Sequence, residues 1–524
     1  MWVDDVLSRL PWRRRTEVTG LVLSGGGARA SFQIGALRYL YDQVGIRPDV
    51  ITGTSAGSVL AAVLAQSDEP AEQRRLVGEL ERVWRGMQHS SDMFVPLEWF
   101  ARLRERGPEW VAAFSRRQQR QRPLGRTFSR VANLAAPRLT PTSTRARPSA
   151  PAAAAVGVAA AAAEAAPELD TSPESEDQGT WGSLGVVEFL TALREVGRAR
   201  PDLEVILRGA EREQSMYRLG PIVERLLDPE VFVPARVAGS GVTLRIAVVG
   251  LESGELRYVT ETGALLDRQG RQLDAGPIDL VEAVRASCAI PAVLPPIRLG
   301  DEHYVDGGVR EALPVEVAVE QLGVTRCFAV VASPPGVPRE DSYAGRDMLS
   351  IVLRSTAGIM SDEGLHDEVT WARRAGAVVI GPELDVHDVL TVDPGLTAIS
   401  MDYGYMRAAE AVQGAGPVES QLVRDITTLR KEIWQLEVDL LGPGPEDASA
   451  EPEAPDDGPA PDLSELWALK RRLRSLVDQT PLEYLPPGAR TWWRHFEGHS
   501  FPIDLPPGWT STTDDAYAAS VASR

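Results

Sequence analysis

Two neighbouring stretches near the beginning of the chain share one pattern of apolar and small residues. The first, GLVLSGGGARASFQIGALRYL, runs from an apolar segment through three glycines, Gly25 to Gly27, into a helix-forming segment. The second, DVITGTSAGSVLAAVLA, repeats the plan with a serine at the turn. An apolar strand, a glycine-rich turn and a helix in succession are typical of α/β proteins. The pattern predicts a β–α–β–α unit over residues 19–66.

The same alternation returns in the second half of the chain. VTLRIAVVGLESGELRYVT predicts two alternating strands that are joined by a turn at Ser253 and Gly254. IDLVEAVRAS then predicts a helix, and CFAVVAS predicts an apolar strand. Strands that alternate with helices over this length favour a mostly parallel α/β sheet.

Between these two ordered regions the pattern degrades, and charge separates into blocks. Nine arginines and no acidic residue lie between Arg116 and Arg147, whereas six acidic residues and no basic one lie between Glu164 and Asp177. Residues 135–180 are rich in Ala, Pro and Ser, a composition typical of linkers and disordered segments. We interpret residues 85–235 as an insertion into a core domain.

The last part of the chain has a different periodicity. Apolar residues spaced by three and four predict two amphipathic helices, which an acidic, Pro-rich linker at 442–462 separates. We expect an antiparallel helical hairpin of coiled-coil character, closed either on its own chain or between chains. The two seams consist of Leu422, Ile426, Leu429, Ile433, Leu436 and Leu440, and of Leu466, Leu469, Leu473 and Leu476.

These patterns divide the chain into six predicted parts. An aromatic-rich tail, with Trp492, Trp493, Phe496 and Trp509, resembles a docking surface more than a free tail. The parts are an amphipathic arm at 1–17, a core domain in two pieces at 18–84 and 236–414, the insertion at 85–235, the hairpin at 415–480 and the tail at 481–524.

Composition narrows the class of protein. The 524 residues include 74 acidic and 55 basic ones, a balance that argues against a general nucleic-acid binder. Two cysteines, Cys288 and Cys327, are too few for a disulfide framework and fit a reducing compartment. The N-terminus lacks the apolar core of a secretory signal, and no segment has the length and apolarity of a membrane span. We therefore expect a cytoplasmic protein, or one lying peripherally on the inner face of the membrane.

The segment GTSAG places Ser55 in a G-x-S-x-G pattern, between Gly53 and Gly57. After a strand and before a helix, this pattern favours a strained turn that presents a nucleophilic serine. Ser55 would stand at the helix N-terminus, where free N–H groups favour developing negative charge. The alternative is an ordinary tight turn with a serine N-cap.

The three consecutive glycines have two interpretations. The amides of Gly25, Gly26 and Gly27 could converge on an oxyanion that forms during acyl transfer. Alternatively, Gly25, Gly27 and Ala30 match a permissive dinucleotide-binding fingerprint. That fingerprint expects an acidic residue at the end of the second strand, where this chain instead has the segment TGTS. The nucleotide interpretation is therefore the weaker one.

A serine nucleophile needs a base, and no histidine lies in a recognisable triad segment. His303 precedes Asp306 in HYVDGG, but residues three apart on a strand point to opposite faces. Asp306 comes at a predicted strand end and is followed by Gly307 and Gly308. The alternative for this motif is a plain Asp–Gly turn. The other histidines are His89, His366, His387, His495 and His499.

Taken in order, SGGGAR, GTSAG and YVDGG resemble the patatin-like phospholipase family of bacterial type. The segment RASCAIPAVLPPIRLGDEHYVDGG is similar to the Pro-rich approach of that family to its catalytic aspartate. The resemblance covers about residues 18–85 and 240–335. The chain departs from the family at Ala30, where the loop usually has glycine, and has DGG where DGA is common.

The resemblance implies a three-layer α/β/α sandwich and a Ser–Asp dyad. Ser55 would be the nucleophile and Asp306 the general base, and neither a metal nor another cofactor would be needed. The amides of Gly25, Gly26 and Gly27, with Arg29 beside them, would form the oxyanion site. The implied substrates are acyl esters of lipids, typically phospholipids or lysophospholipids.

Two segments are candidates for contact with a membrane. The arm at 1–17 offers an apolar helical face followed by three arginines, and the basic block at 116–147 could meet anionic headgroups. The alternatives are a packed helix and a solvated arm held by the acidic block. Two further functions remain open: a catalytically silent scaffold that acts through the helices of 418–480, binding a second copy or another protein, and an esterase for small soluble esters.

Overall fold

A nine-stranded mixed sheet forms the centre of the computed structural model, which describes residues 17–102, 212–229, 231–337, 339, 342–343, 351, 354–441 and 463–490. The arm at 1–17 (apart from residue 17), the basic block at 116–147, the linker at 442–462 and the tail from residue 491 lie outside the described residues. The predictions that rest on those segments stay predictions.

The strands follow the predicted alternation and add a short antiparallel pair. The described strands are β1 Thr19–Leu23, β2 Val50–Thr54, β3 Phe94–Pro96, β4 Tyr217–Leu219, β5 Thr243–Gly250, β6 Leu256–Thr260, β7 Leu265–Asp267, β8 Ile297–Leu299, β9 Glu302–Asp306, β10 Arg326–Val330 and β11 Val378–Ile380.

Ten α-helices are described beside short 3₁₀ and π turns. They are α1 Ala30–Tyr39, α2 Ala56–Leu64, α3 Pro70–Arg85, α4 Pro221–Leu226, α5 Pro234–Gly239, α6 Leu280–Ser287, α7 Ser361–Arg374, α8 Pro394–Gln413, α9 Pro417–Leu441 and α10 Ser464–Gln479.

The order of the main sheet is β11-β10-β1-β2-β5-β6-β7, with β9 paired to both β5 and β8. The five strands from β11 to β5 are parallel, and β6, β7, β8 and β9 add antiparallel pairs. β3 and β4 form a separate two-stranded sheet. The prediction of a mostly parallel central sheet is confirmed. The carboxyl ends of the five parallel strands all lie at one edge, where ligand sites of open α/β sheets occur.

Helices cover both faces of the sheet, as the continuous apolar character of its central strands requires. Leu21 and Leu23 of β1 face one cluster, which also contains buried residues of α1, α2, α6 and α8. Val22, between them, faces the opposite cluster with Ala372 of α7 and Ala318 of the 317–321 turn. The fold is therefore the predicted three-layer sandwich.

Parts of the predicted insertion that are described pack on this core. Phe94 of β3 and Tyr217 of β4 are buried with their rings in edge contact, and Phe232 is fully buried. The amides of Met216 and Tyr217 donate to the carbonyls of Ala292 and Val293, which joins the small sheet to the segment before β8.

The C-terminal helices pack against the same chain. Ile426 and Ile433 of α9 and Leu473 of α10 are buried in the main core cluster. Glu437, near the end of α9, pairs with Lys470 in the first half of α10, so the two helices are in contact. Both partners of this pair are buried. Apolar residues of both seams are thus buried against the core of the same chain. None of the described helices combines the length and the apolarity needed to cross a bilayer.

Two glycines allow α1 and α8 to cross at very short distance. A Cβ atom on Gly35 of α1 would lie 1.7 Å from the carbonyl oxygen of Met401, and one on Gly404 of α8 would lie 1.9 Å from that of Phe32. Edge contacts of Phe32 with Tyr403 and of Tyr39 with Tyr405 flank the crossing. The start of α1, directly after the glycine loop, is therefore tied closely to α8.

We predict that Gly35→Ala lowers the free energy of unfolding, because the added methyl group overlaps backbone that cannot move aside. Overpacking of this kind typically costs about 1–3 kcal/mol, and occasionally more. Gly364→Ala is the matched control, since a Cβ there meets nothing within 4 Å in an exposed position of α7. Chemical denaturation of both variants measures the difference. Equal stability of the two variants would contradict the tight crossing.

Candidate active site

Ser55 occupies the turn between β2 and α2 in a strained backbone conformation. Its φ is 54° and its ψ is −131°, values that L-residues rarely adopt. Among the described residues other than glycine, positive φ occurs only here and at Ala292. The side chain stands at the N-terminus of α2, as the G-x-S-x-G pattern predicts.

The two glycines that flank Ser55 lie too close to neighbouring backbone to carry a side chain. A Cβ on Gly57 would lie 2.5 Å from the carbonyl oxygens of Leu23 and Ser24, and one on Gly53 would lie 2.6 Å from the carbonyl oxygen of Gly57. Glycine at both positions therefore lets α2 start directly against β1 and β2. This close approach fixes the turn that carries Ser55.

Two strands that meet end to end bring Ser55 and Asp306 together. β2 runs along β5 until Thr54 lies opposite Ala247, and antiparallel β9 ends with Asp306 opposite Val248. Because β6 occupies the other edge of β5, β2 and β9 must share one edge. Their ends abut at consecutive positions of β5. Residues 251 positions apart in the sequence thus become neighbours.

Asp306 is buried, and its side chain contacts that of the candidate nucleophile. Burial raises the pKa of this carboxyl to about 7, and the interactions with the Ser55 side chain and the Gly308 amide act in the opposite direction. The Gly308 amide donates to Oδ1 over 2.7 Å. A carboxylate with a raised pKa is a stronger base than an exposed one, so Asp306 is suited to accept a proton from Ser55.

The glycines after Asp306 also allow close packing. A Cβ on Gly307 would lie 2.6 Å from the carbonyl oxygen of Ala247, and one on Gly308 would lie 3.1 Å from Oδ1 of Asp306. A side chain at Gly307 would overlap the backbone of β5, whereas a methyl group at Gly308 would only crowd the Asp306 carboxylate. The DGG sequence therefore has a spatial reason at this site.

The loop that follows Asp306 is fixed from two sides. The hydroxyl of Thr54 donates to the carbonyl of Glu311 over 3.1 Å, and the Tyr258 hydroxyl donates to the Glu311 carboxylate over 2.5 Å. Glu368 of α7 accepts from the amides of Ala312 and Leu313 over 3.2 and 2.8 Å. Burial raises the pKa of Glu311 to about 7 and that of Glu368 to about 8.

Ser287 is a site residue that the sequence reasoning missed. Its Oγ accepts a 3.0 Å hydrogen bond from the amide of Ser55 and donates a 2.8 Å bond to the carbonyl of Ala247. Ser287 thereby joins the strained turn to β5, the strand that pairs with β9 at Asp306. The only signal in the sequence is the position of Ser287 at the end of a helix shortly before the Pro-rich segment. Its side-chain partners lie far away along the chain.

The glycine loop touches the nucleophile directly. A Cβ on Gly25 would lie 3.2 Å from the Cβ of Ser55. The Gly25 amide donates to the carbonyl of Ala312, and the Arg29 amide donates to the carbonyl of Gly26. In the part of the chain that the structure describes, no acceptor is found for the amides of Gly26 and Gly27. Of the four predicted oxyanion donors, these two are therefore available in this conformation.

Gly27 and Ala30 explain the shape of the loop. Gly27 has φ of 54°, and a Cβ there would lie 2.5 Å from the carbonyl oxygen of Val389. Ala30 has ordinary helical angles, φ −57° and ψ −19°. Related loops usually have glycine at this position, but Ala30 adopts a conformation that alanine takes without backbone strain.

The side chain of Arg29 has partners other than the nucleophile. Its guanidinium pairs with Asp385, donates to the carbonyl of His387 over 3.0 Å and donates to Ser333 Oγ over 3.3 Å. A small pocket lies beside it, lined also by Phe32 and Ala332. Arg29 thus anchors the loop to the segment after β11.

The described histidines are not brought to Ser55. His303 lies on β9, half exposed, with Nδ1 2.7 Å from Glu252 Oε1. His387 is buried, with Nε2 3.1 Å from Ser31 Oγ, and burial lowers its pKa. Within the described ranges, no three His, Cys, Asp or Glu residues cluster in a way that could hold a metal ion.

Short stretches of the chain are similar to known fungal proteins. It is 34% identical over 93 residues to a patatin-like phospholipase domain-containing protein of Aspergillus niger, which covers 18% of this chain and 12% of that protein. It is 37% identical over 81 residues to lysophospholipase nte1 of the same species, covering 15% and 5%. The chain thus matches a small part of either relative's length.

Among solved structures, VipD from Legionella pneumophila is similar at 13% identity and a TM-score of 0.31, over 81% of this chain and 76% of that one. A likeness at this score carries no weight for fold or function. The family comparison is more extensive, since the model described as patatin-like phospholipase matches residues 21–319, more than half of the chain. The protein belongs to the patatin-like phospholipase family.

Proposed function

We propose that this protein is a serine acyl hydrolase that cleaves fatty-acyl ester bonds of phospholipids or lysophospholipids. The observation that carries the proposal is the contact between a strained serine and a buried carboxylate. The side chain of Ser55 contacts that of Asp306, whose pKa burial raises to about 7. The glycine loop with its two available amides adjoins the same serine.

The first half-reaction forms an acyl-enzyme. Ser55 Oγ attacks the ester carbonyl carbon while its proton passes to the Asp306 carboxylate, and the carbonyl oxygen becomes an oxyanion. The amides of Gly26 and Gly27 donate to that oxygen, and the N-terminus of α2 favours its negative charge. Collapse of the tetrahedral intermediate breaks the bond to the alcohol, which leaves with the proton held by Asp306.

The second half-reaction releases the fatty acid. Asp306, again ionised, takes a proton from water as the water oxygen attacks the acyl carbon. A second oxyanion forms at the same amides. Its collapse breaks the bond to Ser55 Oγ, which regains the proton from Asp306. One carboxylate therefore serves both steps, and the reaction needs only ester and water.

Lipid esters are the substrate class that the family membership favours. Two of the relatives described above carry the names phospholipase and lysophospholipase. The choice of a lipid ester rests on this similarity, whereas the chemistry rests on Ser55 and Asp306.

We expect Ser55→Ala and Asp306→Asn each to reduce fatty-acid release by about 10³-fold or more. The first variant lacks the oxygen that bonds to the acyl group, and the second lacks the carboxylate that accepts the proton. Release from lysophospholipid micelles and from phospholipid vesicles is the measurement, with circular dichroism as the check on folding. His303→Ala is the matched control and should remain active. If His303→Ala were as inactive as Ser55→Ala, the assignment of Asp306 as the base would be wrong. Cleavage of short soluble esters alone would refute the lipid substrate.

The pH profile should report the ionisation of Asp306. Only the ionised carboxylate accepts a proton, so kcat/KM should rise with pH and level off above an apparent pKa near 7. Below that value, the rate should fall about tenfold for each pH unit.

Thermal unfolding should be followed at each pH of this profile. The raised pKa of Asp306 means that this group binds more protons in the folded protein than in the unfolded chain, so its contribution to stability declines between about pH 4 and about pH 7 and is constant above. Protonation of Asp306 at low pH therefore does not favour unfolding, and a loss of rate there cannot be explained by destabilisation through this residue. A flat rate profile from pH 5 to 8 would contradict Asp306 as the base.

Ser287→Ala should lower kcat by roughly ten- to a hundredfold with little change in KM, because the turn that presents Ser55 loses its link to β5. Ser240→Ala is the control, since Ser240 also donates to a backbone carbonyl, that of Val237, over 3.0 Å, but at the end of α5. Steady-state kinetics and thermal unfolding of both variants separate positioning from stability. A kcat equal to that of the Ser240 variant would show that Ser287 has no positioning role.

A further inference from the structure

A segment between β11 and α8, which we call the strap, links the glycine loop to the C-terminal hairpin. The strap comprises residues 381–393. It begins at the carboxyl end of β11, the same edge of the sheet at which Ser55 lies. Its position along the edge places it against the residues that precede α1.

The strap holds the glycine loop through main-chain and side-chain contacts. The carbonyl of Val389 accepts a 2.8 Å hydrogen bond from the amide of Ala28. The Asp385 carboxylate pairs with Arg29, and Arg29 Nε also lies 3.0 Å from the carbonyl oxygen of His387. Since Gly26 and Gly27 directly precede these anchored residues, their amides take their position from the strap.

The other side of the strap is held by α9. The Lys431 ammonium donates to the carbonyl of Asp385 over 2.5 Å. Arg424, two turns earlier, pairs with Glu383, which also pairs with Arg407 of α8 over 3.0 Å. Asp385 therefore contacts both groups: its carboxylate meets the glycine loop and its carbonyl meets the hairpin.

Hydrogen bonds within the strap and to α1 hold it in one conformation. Asp388 Oδ1 accepts from the amides of Leu390 and Thr391, each over 2.8 Å, and Oδ2 accepts from the Thr391 hydroxyl. The buried ring of His387 lies between Ser31 of α1 and the carbonyl of Asp388. The strap is thus cross-linked on its own and to the first turn of α1.

From this geometry we infer that the C-terminal hairpin sets the position of the oxyanion amides, with Lys431 and Asp385 as positioning residues. The inference rests on the proposed function. Preorganised donors must lie at hydrogen-bond distance from the oxyanion, and displacements of about 1 Å can reduce rates by about a hundredfold. A chain of two contacts, from Lys431 to Asp385 and from Asp385 to Arg29, connects the hairpin to the loop. The hairpin is then a working part of the catalytic domain.

The test uses Lys431→Met and Asp385→Asn in the full chain. Methionine keeps the length of the half-buried lysine stem, and asparagine keeps the size of the aspartate. Arg471→Met is the control, because Arg471 is an exposed cation on α10. We expect kcat to fall roughly ten- to a hundredfold in both strap variants, with KM within about twofold of the wild type. The control should keep the wild-type kcat.

Hydrogen–deuterium exchange of the peptide that covers residues 24–32 gives a readout independent of activity. Exchange there should become faster in Lys431→Met and Asp385→Asn and stay unchanged in Arg471→Met. A variant that merely unfolds more easily would exchange faster throughout the sheet as well.

Three outcomes can be told apart. Faster exchange in residues 24–32 together with lower kcat supports the inference. Unchanged exchange, or unchanged kcat in an active protein, overturns it while leaving the proposed function in place. Absence of any Ser55-dependent hydrolysis in the wild type would overturn the proposed function, and with it the role of the hairpin in catalysis, even if exchange showed the mechanical link.

Discussion

The shared edge of β5 is the constraint on which the whole site depends. β2 and β9 occupy that edge one after the other, and their ends meet between Ala247 and Val248. The candidate nucleophile and the candidate base come from strands of opposite direction, so neither can shift along the sheet without losing its ladder of hydrogen bonds. One sheet edge thus sets a distance that no local motif could set.

The strain and burial at this point have a cost that surrounding contacts offset. A non-glycine residue with positive φ is disfavoured by about 1–3 kcal/mol, and a buried carboxyl resists ionisation. Ser58 Oγ donates to the carbonyl of Ser55 over 2.6 Å, and Ser287 accepts from its amide over 3.0 Å. Both polar groups of the strained backbone are therefore bonded, which keeps Ser55 in its unusual conformation.

Local motifs in the sequence were sufficient for the fold and for the residues proposed to do the chemistry. The apolar runs before Gly25 and Ser55 predicted β1 and β2, and the resemblance of the ordered motifs predicted the family. The assignment of Ser55 and Asp306 as nucleophile and base stays a prediction, although the structure brings the two side chains into contact. Charge and glycine patterns are local, so a reader of the sequence can find them.

Contacts between distant segments were beyond reach of the sequence. Ser287 carries no signal for its bond to Ser55, and Arg29 carries none for its pairing with Asp385, because each pairing depends on crossovers of the sheet. The hairpin was expected, but its packing on α8, which includes the buried pair of Arg430 and Asp402 joined over 2.7 Å, carries no signal in the sequence. Propensity and periodicity describe an element, whereas its docking depends on neighbours far along the chain.

The buried carboxyl also affects how the site meets a charged ligand. The chain has a formal net charge of −19, which repels anions at long range. A carboxyl whose pKa is raised to about 7 is partly neutral near that pH, so its average charge is smaller than that of an ordinary aspartate. A phosphodiester headgroup of the proposed substrate would therefore meet a weaker repulsion from Asp306 than from an ordinary aspartate.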